Sequence, residues 1–219
     1  MFLAAALAAG LAPMMVPLAA LAADKLDAGG LTFRDFGTPD NGSSYTRGEQ
    51  SIGGGTSQSF TKVLGIDPAQ QAVRLRFDSV KVELLLPMGW QANEDGERGV
   101  AYTLDKRIRL IVWRVDFAHE GVKDAEHYAA TKAGSIKARR PGVQAQARKL
   151  SDRSFVIVYE NVPKGPNDSG GPRSVFDFLI PDPRNPKVGI LLTLGMPANE
   201  AGRGLQLLAL ISQNMRIDW

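Results

Sequence analysis

Val80-Lys81-Val82-Glu83-Leu84-Leu85-Leu86-Pro87-Met88-Gly89-Trp90 is the stretch whose reading decides the fold. Val80, Val82, Leu84 and Leu86 alternate with Lys81 and Glu83, so a period of two puts the apolar set on one face of a strand. Pro87 has no amide hydrogen to give a ladder, and Gly89 frees the turn, so the strand stops there. Trp90 is too large for a mobile surface and is expected to pack as core beneath the strand end.

Outward from this stretch the same logic continues. Gly99 to Leu104 and Ile108 to Phe117 flank Asp105-Lys106-Arg107 and read as a hairpin. In its second arm Ile108, Leu110 and Val112 alternate with Ile111, Trp113 and Val115, all apolar, which predicts a central strand covered on both faces. Lys123 to Arg140 reads as a helix capped by Asp124, with Ala125, Tyr128, Ala129 and Ile136 as its apolar stripe and Pro141-Gly142 as its stop. Strands follow near Ala145 to Leu150, Phe155 to Val162, Val175 to Ile180 and Val188 to Leu194. A last helix, about Asn199 to Met215, is expected to bury Leu205, Leu208, Ile211 and Met215. Ala72 to Phe77 has two readings, a short helix opened by Asp67-Pro68 or an alternating strand. Strands joined by tight turns, one inserted helix and one terminal helix define an α+β domain with a largely antiparallel sheet.

Residues 1–22 carry no charged side chain and end in Ala20-Leu21-Ala22, the small-residue pattern of a signal-peptidase site. Pro13 and Pro17 and the Ala-rich composition argue against a retained membrane helix, so a cleaved signal is expected. The Ala, Gly and Arg bias points to a GC-rich bacterium, hence to a periplasmic or secreted protein. Residues 23–67 are rich in Gly, Ser, Thr and Asp and read as a flexible arm, in which Leu31-Thr32-Phe33 is able to dock as an edge strand. Residues 68–219 form the globular domain.

The element Val82 to Trp90, an apolar strand ending in Pro-x-Gly-Trp, resembles the opening of the PsbP-like (Ran-binding Mog-like) superfamily. Leu207-Leu208-Ala209-Leu210-Ile211-Ser212-Gln213-Asn214-Met215 is similar to that family's last helix, where a Ser follows an apolar run. The order between them, hairpin, helix and strand meander, matches too, and the likeness covers roughly residues 80–219. The resemblance implies a three-layer αβα sandwich, helices on both faces of the sheet, used for binding rather than catalysis. It carries over no functional residue.

The chemistry legible in the chain is sparse. With no Cys there is no disulfide and no thiol nucleophile, and no Gly-x-Ser-x-Gly elbow is present. Gly53 to Gly55 lacks the Gly-Lys-Ser/Thr ending of a phosphate loop. His119, Asp124 and His127 are the weak candidates for a divalent metal, since Asp124 and His127 lie three apart on one helix; no cofactor is expected. Lys132, Lys137, Arg139 and Arg140 concentrate basic charge on the helix and, with Arg148, Lys149 and Arg153, offer a docking face for an acidic partner, although those at the helix end also complement its dipole. A formal net charge of +3 is too small to imply nucleic acid. The expectation is an exported, non-enzymatic binding protein of the bacterial envelope whose partner is another envelope protein. Membrane contact is expected only if residues 1–22 are retained. A small-ligand or divalent-metal binder and an uncharacterised hydrolase are the alternatives.

Overall fold

The alternating stretch becomes a strand, Val82–Pro87, in which Val82, Leu84 and Leu86 are wholly buried. It is β4 in chain order. Before it run β1 (Gln58–Phe60), β2 (Lys62–Asp67) and β3 (Ala72–Phe77). After it come β5 (Trp90–Asp95), β6 (Arg98–Thr103), β7 (Arg109–Asp116), helix α1 (Ala125–Arg139) and β8 (Gln144–Lys149). The chain closes with β9 (Phe155–Val162), β10 (Arg173–Pro181), β11 (Val188–Pro197), helix α2 (Gly204–Gln213) and β12 (Arg216–Ile217). The computed structural model describes residues 25–37, 58–164 and 171–219; the expected signal segment and residues 38–57 of the expected arm lie outside them.

Eight strands form one sheet in the order β1-β5-β6-β7-β11-β10-β9-β8, and four form a second in the order β12-β4-β3-β2. All of these pairings are antiparallel. The large sheet has two apolar faces, as the double alternation of Ile108 to Val115 requires. Phe155, Ile157, Tyr159, Leu179 and Leu191 pack with Ala125, Tyr128, Ala129 and Ala133 of α1. Their neighbours Val156, Val158, Phe176, Phe178, Leu192 and Leu194 join the other cluster, with Leu75, Leu84 and Leu86 of the small sheet and Leu205, Leu208 and Ile211 of α2. Each Leu, Ile or Phe so buried contributes about 1.5–3 kcal/mol against remaining exposed.

Four local readings are resolved or revised. Ala72–Phe77 is the strand β3, and Asp67-Pro68 opens a turn instead of a helix, with the Gln70 amide donating to Asp67 Oδ1 at 3.0 Å. The expected last helix is split into a 3₁₀ turn (Ala198–Arg203) and α2. It ends before Met215, where Asn214 Nδ2 donates to the Leu210 carbonyl at 2.8 Å, and β12 then turns back onto β4. The Asp218 carboxylate, 2.7 Å from Arg76 Nη1, fixes that return. Trp90–Asp95 is a strand that sequence alternation does not reveal, because Gln91, Asn93 and Glu94 interrupt any apolar pattern.

Two pieces of the expected arm belong to the folded body. Lys62–Asp67 pairs with β3, and Phe33 and Phe36 are buried in the main core. Leu31 to Phe33 does not add as an edge strand. It leads into a 3₁₀ turn, Phe33–Asp35, because the Thr32 amide and hydroxyl both donate to Asp35 Oδ2, at 2.8 and 2.9 Å. Residues 25–37 lie as a strap antiparallel to α2. The Gln213 side-chain amide reaches the Leu26 carbonyl at one end, and Arg203 reaches the Asp35 carbonyl and covers the Phe36 ring at the other. Trp90 is buried as expected, and its Nε1 donates to the Phe36 carbonyl at 2.9 Å.

Gly204 opens α2 with its Cα against the ring of Phe176, so an added methyl would run into a fully buried aromatic. Gly204→Ala is expected to lose about 1–3 kcal/mol in chemical denaturation through overpacking. Gly202→Ala, whose methyl would meet nothing within 4 Å, is expected to be neutral.

Candidate functional site

α1 begins where Asp124 Oδ1 accepts the His127 amide at 2.8 Å, satisfying a donor the helix cannot use internally. That role occupies one of the residues considered for metal. His119 and His127 are exposed, and the His119 amide donates to Asp116 Oδ1 at 3.2 Å. Among the described residues no group of three or more His, Asp or Glu side chains is placed to hold a metal ion.

Lys132 faces the sheet. Its Nζ lies 2.9 Å from Asp177 Oδ2 and over the rings of Trp113 and Tyr128, at 5.5 and 5.4 Å from their centroids. Asp177 is 1% exposed and also accepts the Tyr159 hydroxyl at 3.0 Å and the Thr193 hydroxyl at 2.5 Å. Burial works against the Lys132 charge, but the adjacent carboxylate outweighs it and raises the ammonium above the usual lysine range. Burial, reinforced by the Asp177 charge, pushes the Tyr159 phenol far above an ordinary tyrosine. Sequence reasoning missed this network. Its signal was a lone acid inside the apolar run Val175 to Ile180, a place where an acid stays charged only with partners.

Lys137, Arg139 and Arg140 are exposed at the C-terminal end of α1. Arg139 Nε donates to the Ser135 carbonyl at 3.2 Å; among the described residues none of the three meets a carboxylate. They do not share one patch with Arg148, Lys149 and Arg153. β8 runs back along α1, so Lys149 ends beside the start of the helix, its Nζ 3.2 Å from Glu126 Oε2. The four basic residues on α1 are thus divided between an inward lysine and an outward cationic end. At one end of the large sheet a pocket of about 210 Å³ is lined by Phe36, Trp90, Leu104, Asp105, Arg107 and Glu200, below the roughly 300–1,000 Å³ of ordinary ligand pockets.

These layers make an α+β domain whose fold is similar to that of Mog1p. The Saccharomyces cerevisiae Ran-binding protein Mog1p is similar in structure, with a TM-score of 0.50 and 13% identity over 67% of this chain and 95% of that one. Cyanobacterial PsbP from Synechocystis aligns over 77% of this chain and 98% of its own, at 16% identity and a TM-score of 0.47. No protein-family model matches the chain, and no curated protein does.

Removing the Asp177 carboxylate would strand the Lys132 charge against the sheet. Asp177→Ala is expected to cost about 3–5 kcal/mol, and Tyr159→Phe about 1 kcal/mol, in urea unfolding. Both raised groups stabilise the fold below their unfolded values, about 10, and that stability is lost as pH rises through the folded ones. Stability should therefore fall on the alkaline side above about pH 10, and Tyr159→Phe should flatten that fall.

Proposed function

We propose that this chain is an exported accessory protein of the bacterial envelope that works by binding another protein and catalyses no reaction. The observation that carries the reading is the exposed cationic end of α1, where Lys137, Arg139 and Arg140 stand together with no acidic partner among the described residues. Elsewhere Arg76, Arg98, Arg107, Lys132 and Lys149 each lie within 4 Å of a carboxylate. Charge left uncompensated on one surface raises encounter rates with an oppositely charged partner and rejects partners of like charge. Lys132 serves this face indirectly, by anchoring the helix that presents it.

A protein partner accords with the Ran-binding role named for Mog1p, the similar structure. In this reading α1 and α2 are the outer layers of an αβα arrangement and the sheets its rigid interior. The charge-free segment 1–22, removed as a signal, supports placement in the periplasm or outside the cell. The partner is then an envelope protein with an acidic surface. No nucleic acid is involved, and membrane contact arises only if the segment is retained.

Chemical cross-linking in native envelopes, followed by pull-down and mass spectrometry, tests this. The wild-type chain should capture one dominant protein in a salt-sensitive way. The double substitution Arg139→Glu, Arg140→Glu should lose that capture, while Lys187→Glu, an exposed cation on a distant loop, keeps it. Equal capture by the charge-reversed protein would sink the reading.

A further inference from the structure

A sheet edge is an open row of amides and carbonyls, and proteins protect such edges by keeping them short, bulged or interrupted by proline. Among the described residues three of the four edges follow that rule. β1 spans three residues and β12 two, and the register of β2 breaks between Val63 and Gly65. β8 is different. Among the described residues it is the last strand of the large sheet, six residues long, without proline, and in unbroken register with β9 from Gln144↔Glu160 to Lys149↔Phe155.

The hairpin that follows shows which groups face outward. The Leu150 amide donates to the Ser154 carbonyl at 2.8 Å, so Leu150 and Ser154 are a hydrogen-bonded pair. Pairs alternate along an antiparallel ladder. Gln144, Gln146 and Arg148 therefore bond to β9, and Ala145, Ala147 and Lys149 turn their backbone groups away from it; Ala145 is covered in the cluster with α1, whereas Ala147 and Lys149 are exposed and form the open part of the edge.

Along its exposed part, charge guards this edge. From Lys137 to Arg153 the chain holds six Lys or Arg and one acid, a net charge of +5 against +3 for the whole protein. The one acid, Asp152, is taken by the Ser154 amide and hydroxyl. Arg139 and Arg140 precede the strand and Arg153 follows it, so the edge, about 20 Å long, is bracketed by cations. Such an edge repels a second copy of itself and attracts an extended strand rich in Asp and Glu. We propose that an extended acidic segment of a partner protein adds to the open edge of β8 as a ninth strand, the main-chain bonds giving affinity and the bracketing cations the choice of partner. This rests on the protein-binding reading above and names the chemistry of the partner.

The test uses the whole protein and a short synthetic peptide of alternating Glu and Val, with its Lys-Val counterpart, read by amide hydrogen exchange in NMR. The Glu-Val peptide should slow exchange at Ala147 and Lys149, the exposed outward positions, by about ten-fold or more, as strand addition demands. The Lys-Val peptide should leave it unchanged. Ala147→Pro removes an outward donor and no β8–β9 bond, so it should keep the thermal transition and abolish the protection. A Glu-Val peptide N-methylated along its pairing edge should also fail, with the protein unaltered. Absence of protection, equal protection by the Lys-Val peptide, or protection by the N-methylated peptide would overturn the proposal. If Arg139→Glu, Arg140→Glu ends envelope capture while Ala147→Pro preserves it, strand addition is wrong and binding at the helix end stands. If neither changes capture, the binding reading itself falls.

Discussion

A sheet whose residues are apolar on both faces must be covered twice, and that constraint organises this molecule. α1 covers one face with small residues, Ala125, Ala129 and Ala133, which let the helix lie close to the strands. Residues of the other face share one cluster with the four-stranded sheet and α2, and the strap of residues 25–37 is tied to Arg203 and to Gln213 of α2 near its two ends. Asp177 lies in the middle of this scheme. It is a carboxylate inside the sheet, and it is tolerable there because Lys132, Tyr159 and Thr193 all point at it. The network fixes where α1 sits along the sheet, since sliding the helix by a turn would remove Lys132 from its only described carboxylate.

Most of the element order was legible because alternation and capping are local signals. The strand at Val82, the hairpin around Lys106 and the helix start at Asp124 each follow from residues within a few positions of one another. What escaped was non-local. β5 reads as polar because its partners, β1 and β6, supply the order that its own side chains do not. Phe33 and Phe36 sit in a Gly-rich stretch that looks too poor in apolar residues to fold, yet the core they join is built from residues far along the chain. β12 is two residues long, below any pattern, and exists because Arg76 and Lys81 hold Asp218 by its carboxylate and its amide.

The candidate site was half legible for the same reason. Counting basic residues along the helix found Lys132, Lys137, Arg139 and Arg140 as a group, but not the direction each faces. At 3.6 residues per turn Lys132 falls on the stripe of Tyr128, Ala129 and Ala133, so its charge had to be buried and paired. The remaining three face water. The division separates two tasks that composition alone merges, since one cation holds the helix in place and the others are left for whatever approaches it.

The strap has a bearing on how the chain acquires its shape. The contact between Arg203 and Asp35 joins residues 168 positions apart, and the Gln213 side chain that reaches Leu26 is likewise in the last turn of α2, although Arg34 also reaches the nearer Ala69 carbonyl. A chain that emerges from its amino terminus first has no α2 against which residues 25–37 could settle until almost all of it has appeared. Closing so long a loop is slow, and contacts of that span form late. The first described residues to be made are thus among the last to find their place, and the docking of the strap marks completion of the fold.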